Sequence, residues 1–267
     1  MNNHEIDYEL HGDDMQFVEV ELDPEETVIA EAGGLMMMDE DIQMETIFGD
    51  GSDNSGDGLM GKLFGAGKRV LSGESLFMTT FTNTGRGKKH VSFASPYPGK
   101  IMAMDLSEMN GKIICQKEAF LAAAKGVSVG VEFQKKLGTG FFGGEGFIMQ
   151  KVEGDGIAFV HAGGTIHKKD LEPGQTLRVD TGCLVAMTGD VHYDVEFVGG
   201  IRTALFGGEG VFFATLRGPG SVWVQSLPFS RLASRVFAAA PQGEGEQKGE
   251  GSIANNLFHN FFGGDRR

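Results

Sequence analysis

Three glutamates that recur at one place in three similar segments are the first candidates for chemistry, because carboxylates serve as acid–base groups and metal ligands. Each belongs to a Gly-Glu pair: Gly73-Glu74 in VLSGESLF, Gly144-Glu145 in FFGGEGFI and Gly208-Glu209 in LFGGEGVF. A single active site would break the symmetry of such a repeat. We therefore predict that these six residues form structural turns, with the carboxylates accepting hydrogen bonds from backbone N–H groups, and that none is catalytic.

The histidines and cysteines lack the spacing of a metal or nucleophilic site. The seven histidines form neither H-x-H nor HExxH, and the chain has no GxSxG elbow. His161 and His167 flank a Gly-Gly turn and could approach each other, but a third ligand is not evident. Cys115 and Cys183 form no metal or redox motif, and Cys183 is interpreted as a small core residue. These patterns predict no catalytic, metal or cofactor-binding residue.

Two loop motifs imitate ligand sites without completing them. GDGSDNSGDG at 49–58 carries its aspartates at offsets that differ from those of a calcium loop. The stretch 56–62 imitates a phosphate-binding loop, but Leu63 follows where the Ser or Thr that holds magnesium is required. We predict that the chain binds neither calcium nor a nucleotide.

The elements that must position these residues also repeat. A second kind of segment, in which a polar turn precedes an alternating apolar run, occurs at 21–37, 105–123 and 170–187. Each copy runs on into a strand-like stretch: IQMETIF, VSVGVEF and VHYDVEF. Each Gly-Glu segment is followed by a G-x-G turn and a β-rich run, at 91–95, 157–162 and 221–226. A turn between two such runs predicts a hairpin.

The order of the two segment types predicts how the chain closes. Both types are present in one order at 71–133 and 142–197, whereas 205–232 lacks the second type and 15–48 lacks the first. We predict an all-β body with a pseudo-threefold arrangement, in which the N-terminal strands complete the last repeat and remove an exposed sheet edge. The predicted body spans 1–238, with repeats at about 64–134, 135–199 and 200–238 plus 1–48.

The C-terminal residues form a separate region. A polar, glycine-rich linker is predicted at 239–251. The tail at 252–267 places five apolar residues on one face of a short amphipathic helix: Ile253, Leu257, Phe258, Phe261 and Phe262. So short a helix is marginal alone, and the tail must therefore dock on another surface or remain disordered.

Composition excludes several classes of protein. The 267 residues include 42 glycines, which favour short strands joined by tight turns. The net charge of −14 argues against nucleic-acid binding, which needs a basic surface. No stretch approaches the roughly 20 apolar residues of a membrane span. The first residues resemble neither a signal peptide nor a transit peptide, so we expect a cytoplasmic protein.

The charge is divided between two neighbouring regions. Residues 1–60 contain 18 acidic residues and no lysine or arginine, whereas residues 61–100 contain seven bases and one acid. A solvated acidic surface is one interpretation. The other is a pair of complementary patches that orient a head-to-tail homo-oligomer, for which we predict a trimer.

The segments GKLFGAGKRVLSGESLF, FFGGEGF and LFGGEGVFF resemble those of a bacterial family related to the mitochondrial protein named for altered inheritance of mitochondria. The resemblance covers about residues 1–237. It implies tandem copies of a small double-stranded β-helix similar to the tryptophan RNA-binding attenuation protein (TRAP-like), in ring-like homotrimers. It implies no established activity.

These observations favour a non-enzymatic, ring-forming scaffold or interaction protein. The alternative is a small-molecule-binding or metal-dependent enzyme that uses the β-helix as cupins do, and an RNA-binding ring is disfavoured by the net charge. The basic, apolar stretch 58–69 could contact an anionic membrane surface, the core or a neighbouring subunit.

Overall fold

A computed structural model describes residues 5–31, 33–48, 77–135, 147–198 and 211–240. Within them the chain is all-β, as predicted, with one α-helix, α1 (Phe229–Ala239). None of the helices in these ranges is long and apolar enough to cross a membrane. The strands in chain order are β1 (Asp7–His11), β2 (Phe17–Leu22), β3 (Thr27–Glu31), β4 (Leu35–Met38), β5 (Ile42–Phe48), β6 (Phe77–Asn83), β7 (Lys89–Ala94), β8 (Gly99–Asp105), β9 (Lys112–Gln116), β10 (Phe120–Ala124), β11 (Ser128–Lys135), β12 (Phe147–Glu153), β13 (Ile157–Gly163), β14 (Ile166–Leu171), β15 (Thr176–Asp180), β16 (Leu184–Thr188), β17 (His192–Val198), β18 (Val211–Arg217) and β19 (Gly220–Gln225).

The described strands form four antiparallel sheets. Two sheets have six strands, in the orders β5-β6-β3-β10-β13-β8 and β11-β12-β9-β16-β19-β14. The others have four strands, β1-β2-β7-β4, and three strands, β15-β18-β17. The strand-like stretches predicted from IQMETIF, VSVGVEF and VHYDVEF correspond to β5, β11 and β17.

The same strand neighbours recur three times along the chain. β8 pairs with β13, β14 with β19, and β2 with β7. β6 lies between β3 and β5, β12 between β9 and β11, and β18 between β15 and β17. β2 to β5 therefore pair with β6 and β7 in the same way that β8 to β11 pair with β12 and β13.

The predicted hairpins are wrong, although the runs that suggested them are strands. β6 and β7 lie in different sheets, and so do β12 and β13, and β18 and β19. The turns bond to neighbouring turns instead: the N–H of Gly154 donates to the carbonyl of Gly111, and that of Gly218 to Gln175, both at 3.0 Å. Because other strands already occupy both edges of these strands, each turn carries the chain from one sheet to another.

Buried side chains form three clusters, each between two sheets. One joins the two six-stranded sheets. The second, which includes Phe93 and Phe159, joins the four-stranded sheet to the first six-stranded sheet. The third, which includes Met149 and Leu216, joins the three-stranded sheet to the second six-stranded sheet. The alternation of buried and partly exposed residues in β2 has the two-residue period of a strand with one face on the core.

Asn83 is a fully buried amide at the end of β6. Its Nδ2 donates to the carbonyls of Leu22 at 2.8 Å and Gly87 at 2.7 Å. Its Oδ1 accepts from the N–H of Gly85 at 2.9 Å. One side chain therefore fixes the turn into β7 and ties that turn to the end of β2.

The change Asn83→Asp should lower the free energy of unfolding by about 2–4 kcal/mol, because a carboxylate oxygen would replace the buried donor that faces the carbonyls of Leu22 and Gly87. Denaturant unfolding at neutral pH measures the loss. Gln175→Glu is the control, because Gln175 is exposed and its Oε1 accepts from the Glu172 N–H, a bond that a carboxylate also accepts, so the change should alter stability by about 0.5 kcal/mol or less. Equal losses for the two variants would contradict the assigned role of Asn83.

Helix α1 follows the last strand, and no sequence pattern predicted it. It has no side-chain N-cap, and the carbonyl of Pro228 accepts from the N–H groups of Arg231 and Leu232. The Arg231 guanidinium lies 3.1 Å from the Asp180 carboxylate, and Phe229 contacts Tyr97. These contacts attach the helix to the sheets, so a local pattern alone does not specify it.

Candidate functional site

Strand β4 is an edge strand whose side chains are all exposed. Leu35, Met36, Met37 and Met38 expose between 37% and 49% of their surface. Among the described strands, β4 pairs only with β7. Proteins normally cover, shorten or charge such an apolar edge, because its unpaired backbone groups can bind another strand. This edge is the main candidate interaction surface.

Strands β10 and β16 have the same local geometry as β4 but are buried. All three strands carry a bulge at their second residue, so that the register passes from Leu35 to Met37 in β4, from Phe120 to Ala122 in β10, and from Leu184 to Ala186 in β16. All five residues of β10 and the first four of β16 are buried. The three strands differ at their second edge. β3 pairs with the second edge of β10 and β9 with that of β16, whereas no described strand pairs with the second edge of β4.

Strand β15 is the counterpart of β3 and β9. Each of the three has five residues, and β15 lies beside β18 as β3 lies beside β6 and β9 beside β12. Leu177 and Val179 pack partly buried against the third core cluster. In the described part of the chain β15 pairs only with β18. We call the outer edges of β4 and β15 the open seam.

Basic residues beside β7 are paired with acids of the same chain. Lys88 contacts Glu21 and thereby lowers the pKa of that carboxyl, and Lys89 lies 3.2 Å from Asp41. Because these groups are largely exposed to solvent, the two pairs contribute little to stability. Part of the acidic region at 1–60 and part of the basic region at 61–100 therefore face each other within one chain.

His161 is buried in β13, with 2% of its surface exposed. Tyr97 packs edge-on against the imidazole, with 4.4 Å between ring centroids, and also contacts Phe229 of α1. Neither ring nitrogen has a hydrogen-bond partner of good geometry, although the Tyr97 backbone lies close enough to raise the pKa slightly. Burial is the larger effect and lowers the pKa of His161 to about 4, so the ring is neutral at physiological pH.

The structure does not bring His161 and His167 into a shared site. His167 is exposed on β14, whereas His161 faces the interior. No group of three histidine, cysteine, aspartate or glutamate side chains in the described ranges is arranged to hold a metal ion.

A buried polar cluster joins β3, β9 and β12. The Nε2 of Gln150 donates to Oε1 of Glu31 at 3.4 Å, and Gln150 lies opposite Cys115 in the sheet. Burial raises the pKa of Glu31. Burial, with a smaller effect of the Glu31 carboxylate, raises the pKa of the Cys115 thiol to about 12. The thiol is therefore protonated at neutral pH and is a poor nucleophile.

Cys183 is not the core residue that the sequence suggested. It is half-buried at the end of a short 3₁₀ helix, Thr181–Cys183. Burial and the nearby Asp180 raise the pKa of its thiol, which also disfavours a reactive thiolate.

A shallow groove of about 170 Å³ lies on the three-stranded sheet. It is lined by six side chains: His192, Tyr193, Asp194, Glu196, Thr215 and Arg217. Small-molecule sites usually have volumes of roughly 300–1,000 Å³. The groove is therefore smaller than a typical ligand-binding pocket.

The predicted repeat turns lie outside the described residues, namely Gly73, Glu74, Gly144, Glu145, Gly208 and Glu209. The same is true of the loop at 49–58, the motif at 56–63, the basic stretch at 58–69 and the tail at 252–267. Sequence reasoning missed the open seam. Its signal was the run LMMM at 35–38, whose bulky side chains contrast with the small residues of FLAAA at 120–124.

The chain is similar to a known protein family, to a bacterial relative and to a solved structure. A family model described as mitochondrial biogenesis AIM24 matches residues 8–227. An uncharacterized protein from Streptococcus pyogenes serotype M6 is 34% identical over 232 residues, covering 85% of this chain and 88% of the relative. A crystal structure of a Streptococcus pyogenes protein matches with a TM-score of 0.67 and 25% identity, covering 88% of this chain and all of the other.

Proposed function

The chain belongs to the AIM24 family, and from that premise we propose that it is a non-enzymatic scaffold whose copies assemble head to tail into a ring, most simply a trimer. The observation that carries the proposal is the open seam, an apolar strand edge whose counterparts are buried. A head-to-tail contact joins two different surfaces, and the edges of β4 and β15 are two such surfaces on one chain.

We also propose that each chain consists of three TRAP-like repeats in a pseudo-threefold arrangement. The N-terminal strands belong to the first of these repeats and not, as the sequence suggested, to the last, because β2 to β5 pair with β6 and β7 whereas β18 and β19 pair with β14 to β17. The threefold recurrence of strand neighbours supports this proposal, as does the bulge shared by β4, β10 and β16. In a fully regular arrangement, the four-stranded and three-stranded sheets would join through β4 and β15 into a third sheet that repeats the six-strand pattern as β2-β7-β4-β15-β18-β17, with β1 as a seventh strand at its edge. Apart from the additional strand β1, the described strands depart from that pattern at the seam.

The apolar edge, rather than the charged regions, is expected to stabilise the assembly. Lys88 and Lys89 already have acidic partners in their own chain. Burying apolar surface contributes roughly 25 cal/mol per Å². Exposed charge pairs contribute little, because solvent and salt screen them. Charges then affect the rate and orientation of association.

Measuring the mass in solution tests this function. We expect light scattering at micromolar concentration to give a multiple of the 28.6 kDa chain mass, three times that mass for the simplest ring. The mass should persist at high salt, because salt screens charges and leaves apolar burial intact. A mass of 28.6 kDa at micromolar concentration in low salt would contradict the proposal, and dissociation by salt would show that charges hold the ring.

A further inference from the structure

We propose that β15 of one copy adds to the β4 edge of the next copy as an antiparallel strand, with Val179 of one chain opposite Met37 of the other. This inference rests on the proposed assembly and names the surfaces and the register of its contact. The partner is a second copy of this chain, and the recognition is strand addition at an open sheet edge.

The internal pairs give the register on the β4 side. In β10, the first paired residue after the bulge is Ala122, which lies opposite Ala30 of β3. In β16, the corresponding residue is Ala186, which lies opposite Cys115 of β9. In β4 that position belongs to Met37.

The register on the β15 side follows from strand length. Ala30 is the fourth residue of β3, and Cys115 is the fourth residue of β9. Both strands have five residues, as β15 does, and the fourth residue of β15 is Val179. If the contact repeats the internal pattern, Val179 lies opposite Met37.

This register also matches the chemistry of the two strands. Residues directly opposite each other in an antiparallel pair lie on the same face of the sheet. Val179 packs against the third core cluster, so Met37 would extend the apolar layer that covers this cluster. The new strand pair would also satisfy backbone groups along the exposed edge of β4.

The occupant is a second copy rather than the same chain. Within one chain the internal pairs β3·β10 and β9·β16 are formed, whereas β15 and β4 do not bond to each other and each ends its sheet among the described strands. Each chain thus presents one edge of each kind. Pairing unlike edges of successive copies closes a ring when the rotation between copies permits.

Disulfide trapping tests the register. Directly opposite residues of an antiparallel pair have Cα atoms about 4.5–5.5 Å apart, within the range that a disulfide spans. Two single variants, Met37→Cys and Val179→Cys, are produced in a Cys183→Ser background and co-expressed. Mild oxidation should link them into a species of two chains on a non-reducing gel, and each variant alone should remain unlinked. Peptide mass spectrometry should identify the 37–179 disulfide.

A one-residue slip provides the matched control. Met37→Cys co-expressed with Arg178→Cys should give little linkage, because a slip of one residue turns the side chain to the other face of the sheet. Equal linkage of both pairs would overturn the proposed register. In a single chain carrying both Met37→Cys and Val179→Cys, linkage within the chain would overturn the assignment to a second copy.

The outcomes separate this inference from the proposed function. If the protein is multimeric but yields no 37–179 disulfide, the proposed assembly stands and the proposed seam contact is wrong. A protein that is monomeric by light scattering overturns both. Under denaturing conditions each single variant should react with two maleimides, one at Cys115 and one at the introduced cysteine, which confirms that the introduced thiol is free to be oxidised.

Discussion

Replacing Met37 and Met38 together by lysine should convert the assembly to single chains without lowering the stability of those chains. Both side chains are more than 40% exposed in the isolated chain, so neither supports its fold. In the proposed contact the exposed part of each side chain, a little under half, becomes buried, which contributes about 0.7–1.3 kcal/mol for each methionine. Losing both contributions weakens association by roughly 10–10²-fold, and burying two lysine charges at the contact weakens it further.

Light scattering over a dilution series measures the effect, and thermal unfolding checks the fold. Lysine keeps the length of methionine, and two added positive charges reduce the net charge of −14, so greater repulsion between copies would not explain a loss of assembly. Met44→Lys is the matched control, because Met44 is 53% exposed on β5, away from the open seam. Full assembly of the double variant would exclude β4 from the contact.

Much of the strand content could be predicted from the sequence, because it depends on local patterns. The alternating apolar runs and their repeated order predicted β5, β11 and β17 and indicated an all-β fold. The hairpins could not be excluded in this way, because a G-x-G turn looks the same whether its two strands pair or lie in different sheets. Helix α1 was missed because contacts of Phe229 and Arg231 with distant residues attach it to the fold.

The candidate site was harder to predict, because exposure depends on partners. LMMM at 35–38 and FLAAA at 120–124 occupy equivalent strands and are both apolar, so hydropathy alone predicts burial for both. Only the pairing shows that β3 covers β10 while β4 has no such neighbour among the described strands. The charge division was visible in the sequence, but the pairing of Lys88 with Glu21 required the juxtaposition of β7 and β2.

His161 should make the protein less stable in mild acid. Its pKa is about 4 in the folded chain and near 6.5 when unfolded, so between these values the unfolded chain binds a proton that the folded chain excludes. The free energy of unfolding is unaffected by this group above about pH 6.5, falls as the pH is lowered, and levels off below about pH 4. The total loss is about 3 kcal/mol, at 1.36 kcal/mol for each unit of pKa difference.

The change His161→Gln should remove this part of the pH dependence. Glutamine does not titrate, and the equivalent position in β19 is Gln225, whose side chain accepts from the Gly163 N–H at 2.7 Å and donates to the Gly182 carbonyl at 2.8 Å. The effect of His161 is measured as the difference in unfolding free energy between the unmodified chain and the variant. The raised pKa of Glu31 stabilises the folded chain as the pH falls over part of this range, and this contribution is common to both proteins.

Denaturant unfolding from pH 7 to pH 4 measures this difference. The unmodified chain should lose about 3 kcal/mol more than the His161→Gln variant over that range, whatever their relative stabilities at pH 7. His192→Gln is the matched control, because it makes the same substitution at an exposed position of β17. Parallel curves for the unmodified chain and the His161→Gln variant would mean that His161 gains a proton as readily in the folded chain as in the unfolded one. That result would contradict the assigned burial of the imidazole, which is 2% exposed and packs against the edge-on ring of Tyr97.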